Sequence, residues 1–104
     1  MKVGVFLYFV PRLYTSYMAL INFYGRECPH CERMESVIVK LEKDTGVVVE
    51  RKETWHDDAN LAELNTCDKD GACGGVPFFY NTETGKSICG EATIDELKEW
   101  AGVK

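Results

Sequence analysis

The sequence predicts an α/β domain: a mixed central sheet, made of parallel strands plus an antiparallel C-terminal hairpin, flanked by helices. Three observations carry this reading. A segment of helical period lies between two strand-like runs, which makes those runs parallel partners joined by a crossover. Two short runs late in the chain flank Asn81 to Gly85, the pattern of a hairpin. Thr93 and Glu96 then form a capping box that opens a closing helix.

With 104 residues and 45 % apolar side chains, the chain has material for one core and one domain. Ala19-Leu20-Ile21-Asn22-Phe23-Tyr24, bounded by Gly25, reads as a largely buried strand. From Pro29 to Lys43 the side chains of Met34, Val37, Ile38 and Leu41 fall on one helical face, and Gly46 supplies a stop. Pro29 fits the first helical position, where a missing N–H costs nothing, and this sets Cys28 at the helix N-terminus. Val47 to Glu53, β-branched at its start, is the second strand. Asp57 or Asp58 caps a short helix that carries Leu61 and Leu64 and ends near Thr66. Cys67 to Gly75 is a polar turn region, after which Val76–Tyr80 and Lys86–Cys89 form the hairpin. In the last helix Ile94, Leu97 and Trp100 face inward, and with Met34, Val37 and Ile38 they are core rather than chemistry.

Residues 1–18 stand apart from the domain expected over 19–104, as an apolar arm, an edge strand or a targeting segment. The run Val3 to Val10 has the look of a signal-peptide core, but no small-x-small cleavage site follows, and cutting near Ala19 would remove part of the next strand. It is also too short to span a bilayer, which needs about 20 apolar residues. A cytoplasmic or organellar location is therefore expected over export. The net charge of −5 offers no cationic face for nucleic acid, so the expected partners are proteins or small thiols, met by a monomer.

Five cysteines, unevenly spaced, do not make a complete disulfide framework, and at least one thiol is left over. The informative pair is Cys28-Pro29-His30-Cys31. A thiolate attacks disulfides, whereas a free cysteine, with a pKa near about 8.5, is mostly protonated at neutral pH. Unpaired amides and the positive end of a helix dipole lower that value for Cys28; Pro29 fixes the turn, and His30 adds positive charge when protonated. Glu27, solvated and weakly coupled, and Glu32 oppose it. Cys31, one turn inside the helix, is expected to be the more buried, giving two roles: Cys28 forms a mixed disulfide with a partner and Cys31 resolves it. The same spacing also supplies half of many zinc sites. No second close pair follows, because Cys67 and Cys73 are five residues apart in a loop. Instead Val76-Pro77 opens a strand, where a proline can hold a cis peptide beside the CxxC turn and leave Val76 free to pair with an extended partner.

CPHC between strand and helix, Val76-Pro77 at the hairpin and the closing GEATIDELKEW together resemble the thioredoxin-like superfamily over Ala19 to Lys104. The active-site residues are similar to those of the DsbA oxidants. The resemblance implies a thioredoxin-like fold, with Cys28 as exposed nucleophile, Cys31 as resolving thiol, and Pro77 as the cis-proline of a substrate groove. It also implies cofactor-free disulfide exchange with protein thiols, in cell redox homeostasis, and a redox partner that recycles the pair. Cys31 to Pro77 leaves no room for the helical insertion of DsbA-like proteins. The acid that thioredoxins place six residues before the first cysteine is Asn22 here. Gly25 replaces the basic residue of glutaredoxins, and Cys89-Gly90-Glu91-Ala92 replaces their Gly-Gly-acid signature. Because a stabilised thiolate favours the dithiol, the expected potential lies between about −270 mV for thioredoxin and about −120 mV for DsbA.

Cys67 and Cys73 flank Asp70-Gly71, a natural turn, and read as a local disulfide, with a relay pair near Cys28 as the functional alternative. Cys89 reads as a small buried residue, and Trp55 and His56 as an ordinary strand end. Two rival functions are a metal or iron–sulfur module using Cys28 and Cys31 with Cys67, Cys73 or His30, and an interaction domain in which the pair is incidental.

Overall fold

The computed structural model describes residues 20–103. The arm expected over residues 1–18, like Ala19 at the predicted strand start, lies outside them. In chain order the elements are β1 (Leu20–Tyr24), α1 (Pro29–Thr45), β2 (Glu50–Glu53), α2 (Asp58–Cys67), a 3₁₀ turn (Lys69–Gly71), β3 (Phe78–Asn81), β4 (Ser87–Cys89) and α3 (Ile94–Ala101). The strands form one mixed sheet in the order β2-β1-β3-β4, with β1 parallel to β2 and antiparallel to β3.

The helix ends follow local chemistry. Gly46 takes a left-handed φ of 82° after α1 and returns its amide to the Glu42 carbonyl at 2.9 Å, a conformation that costs glycine no Cβ clash. Asp57 is the cap of α2, its Oδ1 accepting from the Asn60 amide at 2.9 Å. Both halves of the expected capping box are made in α3: the Thr93 amide donates to Glu96 Oε1 at 2.8 Å, and the Glu96 amide donates to Thr93 Oγ1 at 3.1 Å.

Alternation along β1 splits the core between the two faces of the sheet. Leu20 packs with Phe79 of β3, Met34, Ile38 and Leu41 of α1, Val49, and Leu97 and Trp100 of α3. Ile21 and Phe23 pack on the other face with Leu64 of α2 and Phe78. Each such side chain contributes about 1.5–3 kcal/mol when fully buried. These clusters clamp α1 and α2 to opposite faces, and so fix where α1 begins.

Two strand starts differ from expectation. β2 begins at Glu50 rather than Val47, because the ladder starts where Glu50 meets Ile21; of the preceding valines, Val49 joins the core while Val48 is exposed. β3 begins at Phe78 rather than Val76, since Pro77 has no N–H to give a ladder.

Candidate redox site

The end of β1 leads through Gly25 into α1, with the Cys28 amide donating to the Gly25 carbonyl at 3.1 Å. Cys28 is the N-cap of α1, with extended backbone, and Pro29 follows inside the first turn. Cys28 Sγ accepts from the Cys31 amide at 3.1 Å, so an otherwise unpaired donor of the helix end points at this sulfur. Cys28 and Cys31 form a disulfide across Cα atoms 5.2 Å apart. Neither sulfur residue is open: Cys28 is 5 % exposed and Cys31 8 %. The expected contrast, an exposed Cys28 and a more buried Cys31, is thus absent from the closed disulfide. Its cause is the neighbouring loop, which brings the Val76 carbonyl oxygen to 4.0 Å from Cys28 Sγ.

That loop is held from several sides. The Val76–Pro77 peptide is cis, and the Pro77 carbonyl accepts from the Gly90 amide at 2.8 Å. Asp68, buried after α2, accepts from the Cys73 amide at 3.0 Å and the Gly74 amide at 2.9 Å, and so shapes the approach to Val76. The described residues supply no hydrogen-bond partner for the Val76 amide.

The pairing expected between Cys67 and Cys73 is not the one formed. Cys73 is bonded to Cys89 across Cα atoms 5.5 Å apart, and Cys67 is free. Helix α2 continues through Cys67 and packs it beside the Ile21, Phe23, Leu64 and Phe78 cluster. Hairpin register meanwhile sets Cys89 opposite Phe78, at the strand end nearest Pro77. Cys89 is therefore an exposed disulfide partner rather than a buried small residue. Burial pushes the Cys67 thiol up, the Glu63 carboxylate adds to this, and Lys52 opposes it. That thiol is a poor nucleophile, and a relay from it has no support in its surroundings.

Several supporting residues carried no signal in the sequence. Glu53, at the end of β2, accepts from the Arg26 amide at 2.9 Å, the Trp55 amide at 3.2 Å and the His56 amide at 2.8 Å. It ties the turn before Cys28 to the loop after β2. Burial raises the Glu53 carboxyl, but these amides outweigh it and hold it below the usual range. Trp55, 52 % exposed, lies over Gly25 so closely that a Cβ there would strike its ring. His56 Nε2 meets Glu27 Oε1 at 2.8 Å, so Trp55, His56 and Glu27 brace the turn instead of ending a strand idly. On the other flank, Glu91 Oε2 binds His30 Nδ1 at 2.7 Å and Arg33 Nη2 at 2.7 Å. Arg33, then His30, holds the Glu91 carboxyl below the usual range. Glu91, two residues after Cys89 at the end of the predicted hairpin, was visible in the sequence; its reach to His30 depends on tertiary placement.

Among the described residues no group of three or more His, Cys, Asp or Glu side chains is placed to hold a metal ion, so the geometry does not favour the metal-module reading. No helix among them is long and apolar enough to cross a membrane. What fold and site define is a small α/β domain with a mixed sheet and a CxxC disulfide at a helix N-terminus, a combination compatible with a thioredoxin-like fold. No protein-family model matches the chain, and no curated protein matches it.

Proposed function

We propose that this protein is a thioredoxin-like thiol–disulfide oxidoreductase that exchanges disulfides with protein substrates through Cys28 and Cys31. One observation carries the reading: Cys28 is the N-cap of α1 and its sulfur already accepts a helix amide. A thiolate at that position keeps the hydrogen bond and gains the favourable end of the dipole, so the dithiol form is stabilised relative to an ordinary pair.

In the oxidising direction a substrate thiolate attacks Cys28 Sγ, the Cys28–Cys31 bond breaks, and its electron pair leaves on Cys31. A second substrate thiolate then attacks the substrate sulfur of the mixed disulfide and releases Cys28 as thiolate. The substrate leaves as a disulfide, and two electrons remain on the protein as two thiols after proton uptake from water. The reducing direction is the reverse. The Val76 amide, which has no partner among the described residues and belongs to the residue whose carbonyl lies near Cys28 Sγ, suits an extended substrate segment, which would pair with it while Pro77 borders the groove. His30 and Pro29 shape the turn. A separate redox partner resets the pair, no cofactor is required, and exchange proceeds on a monomer.

The test is a redox titration of Cys28 and Cys31 combined with a protein-disulfide reduction assay. A potential between about −270 and −120 mV is expected, with turnover lost in Cys28→Ser. Turnover that persists in Cys28→Ser, or a potential far below thioredoxin's, overturns the proposal.

A further inference from the structure

Beside the disulfide lies a cavity of about 210 Å³ bordered by both cysteines, Asn22, Glu32, Glu35 and Arg51. Asn22 is 3 % exposed, and among the described residues its buried Nδ2 has no hydrogen-bond partner. A buried amide donor left unpaired costs about 1–3 kcal/mol, so its retention in one redox state is explained by a partner gained in the other.

We propose that Asn22 is the donor that receives Cys31 when the disulfide opens, stabilising the Cys31 thiolate across this cavity. The proposal rests on the oxidoreductase reading and names how its leaving group is handled. When a substrate thiolate attacks Cys28, the electron pair of the broken bond goes to Cys31, and a leaving thiolate that is stabilised departs faster. Cys31 is inside α1 and has no helix-end amide comparable to the one that serves Cys28. Arg51, opposite Asn22 in the β1–β2 register, is already committed: its Nη1 donates to Glu42 Oε2 at 2.7 Å and its Nη2 to Glu35 Oε2 at 2.9 Å. Asn22 is therefore the donor bordering the cavity whose buried N–H groups are unassigned. Asn22 and Cys31 border the same cavity, so opening of the disulfide frees the Cys31 sulfur to turn toward this donor. An amide neither takes nor gives the proton here; the Cys31 thiolate is protonated from water, and the Asn22 N–H stays hydrogen-bonded to the Cys31 sulfur afterwards, so the donor favours the dithiol form as well as the leaving thiolate. Its neutrality also matters, because a carboxylate at this position would join Glu32 and Glu35 in opposing the thiolate.

Asn22→Leu and Asn22→Asp test this in the full chain, read by equilibrium with glutathione and by the titration of Cys31 in a Cys28→Ser background. Both substitutions are expected to shift the exchange equilibrium about tenfold toward the disulfide, equivalent to about 30 mV, and to move Cys31 ionisation to higher pH. Asn22→Ser, which keeps a donor, recovers part of both shifts. Asn22→Leu should fold at least as stably as the parent, because it removes an unpaired polar group; if it does not fold, Asn22→Ala is read by the same criteria. An equilibrium and a Cys31 titration both unchanged within about twofold in these variants overturn the role of Asn22. Turnover surviving Cys28→Ser strikes the oxidoreductase reading instead, so the two failures are distinct.

Discussion

Cys28–Cys31 and Cys73–Cys89 are disulfides of nearly equal span, with Cα separations of 5.2 and 5.5 Å, yet their surroundings differ in every respect that governs reactivity. The first is buried at the N-terminus of α1, accepts a helix amide and borders a cavity with an unpaired donor. The second joins the turn region before Val76 to the end of β4 and reaches solvent through Cys89, and neither of its cysteines caps a helix among the described residues. Helix-end donors stabilise released thiolates, while a crosslink between distant segments restricts the unfolded chain. Under the proposed function the first bond opens and the second holds, a difference that would come from position in the fold rather than from cysteine itself.

Removing the two bonds in turn tests that contrast most severely. Cys28→Ser is expected to lower disulfide-exchange turnover by more than about a hundredfold, because the sulfur at the helix end is lost and Cys31 alone cannot complete a two-thiol exchange. Turnover in the Cys73→Ala/Cys89→Ala double variant should stay within about threefold of the parent, while its unfolding free energy falls by about 3 kcal/mol, the value for closing a loop near this length. Denaturant unfolding beside the exchange assay separates the effects. A double variant that loses turnover but not stability would reverse the assignment of the two bonds.

The first region was legible in the sequence and the second was not, for physical reasons. Pro29 and the Met34, Val37, Ile38, Leu41 face locate a helix start from local chemistry alone, and the cap at Cys28 follows. Cys89 meets Cys73 only because β3 and β4 pair in a register that sets Cys89 against Phe78. Spacing along the chain carries no register, so the nearer Cys67 looked like the partner. Asn22 falls between these cases: its burial was readable from the strand, but the cavity it shares with Cys31, Glu35 and Arg51 depends on how α1 packs against the sheet.

The carboxylate clamp on Arg51 gives the next effect in size. Arg51 is bound by Glu42, which also accepts the Val49 amide at 2.9 Å. Burial raises the Glu42 carboxyl, but the Arg51 and Val49 hydrogen bonds and the Arg51 charge outweigh it, so it lies below the usual carboxylate range. A group whose folded pKa is depressed contributes stability above its unfolded pKa, near about 4.3, and loses it as pH falls through the folded value. Glu42→Gln is expected to cost about 1–2 kcal/mol at neutral pH and to flatten the decline in stability between neutral and acid pH. Thermal unfolding followed across that range checks both. An unchanged pH profile would mean the clamp is not what holds β2 beside the cavity.

The smallest expected effect lies where the two regions touch. Glu91 follows Cys89 by two residues and binds His30 and Arg33 beside the CPHC turn, making a direct side-chain link between the segment that carries Cys89 and the turn that carries Cys28 and Cys31. All three side chains are largely open to water, so the link is screened by salt and adds little to stability. Its effect should instead appear in the charge around Cys28. Glu91 is a negative neighbour of His30, and it stays ionised to lower pH than an ordinary carboxyl because Arg33 and His30 favour its charged form. Glu91→Gln removes that charge, leaves Arg33 uncompensated, and should make thiolate formation at reduced Cys28 more favourable. Alkylation of Cys28 is therefore expected to speed up by a factor of about two at low ionic strength, with the gain vanishing in high salt. The same substitution should leave the reduction of Cys73–Cys89 unchanged. A salt-independent change in Cys28 reactivity would show that Glu91 acts by holding the hairpin against α1 rather than through its charge, and would make the second disulfide a structural support of the first.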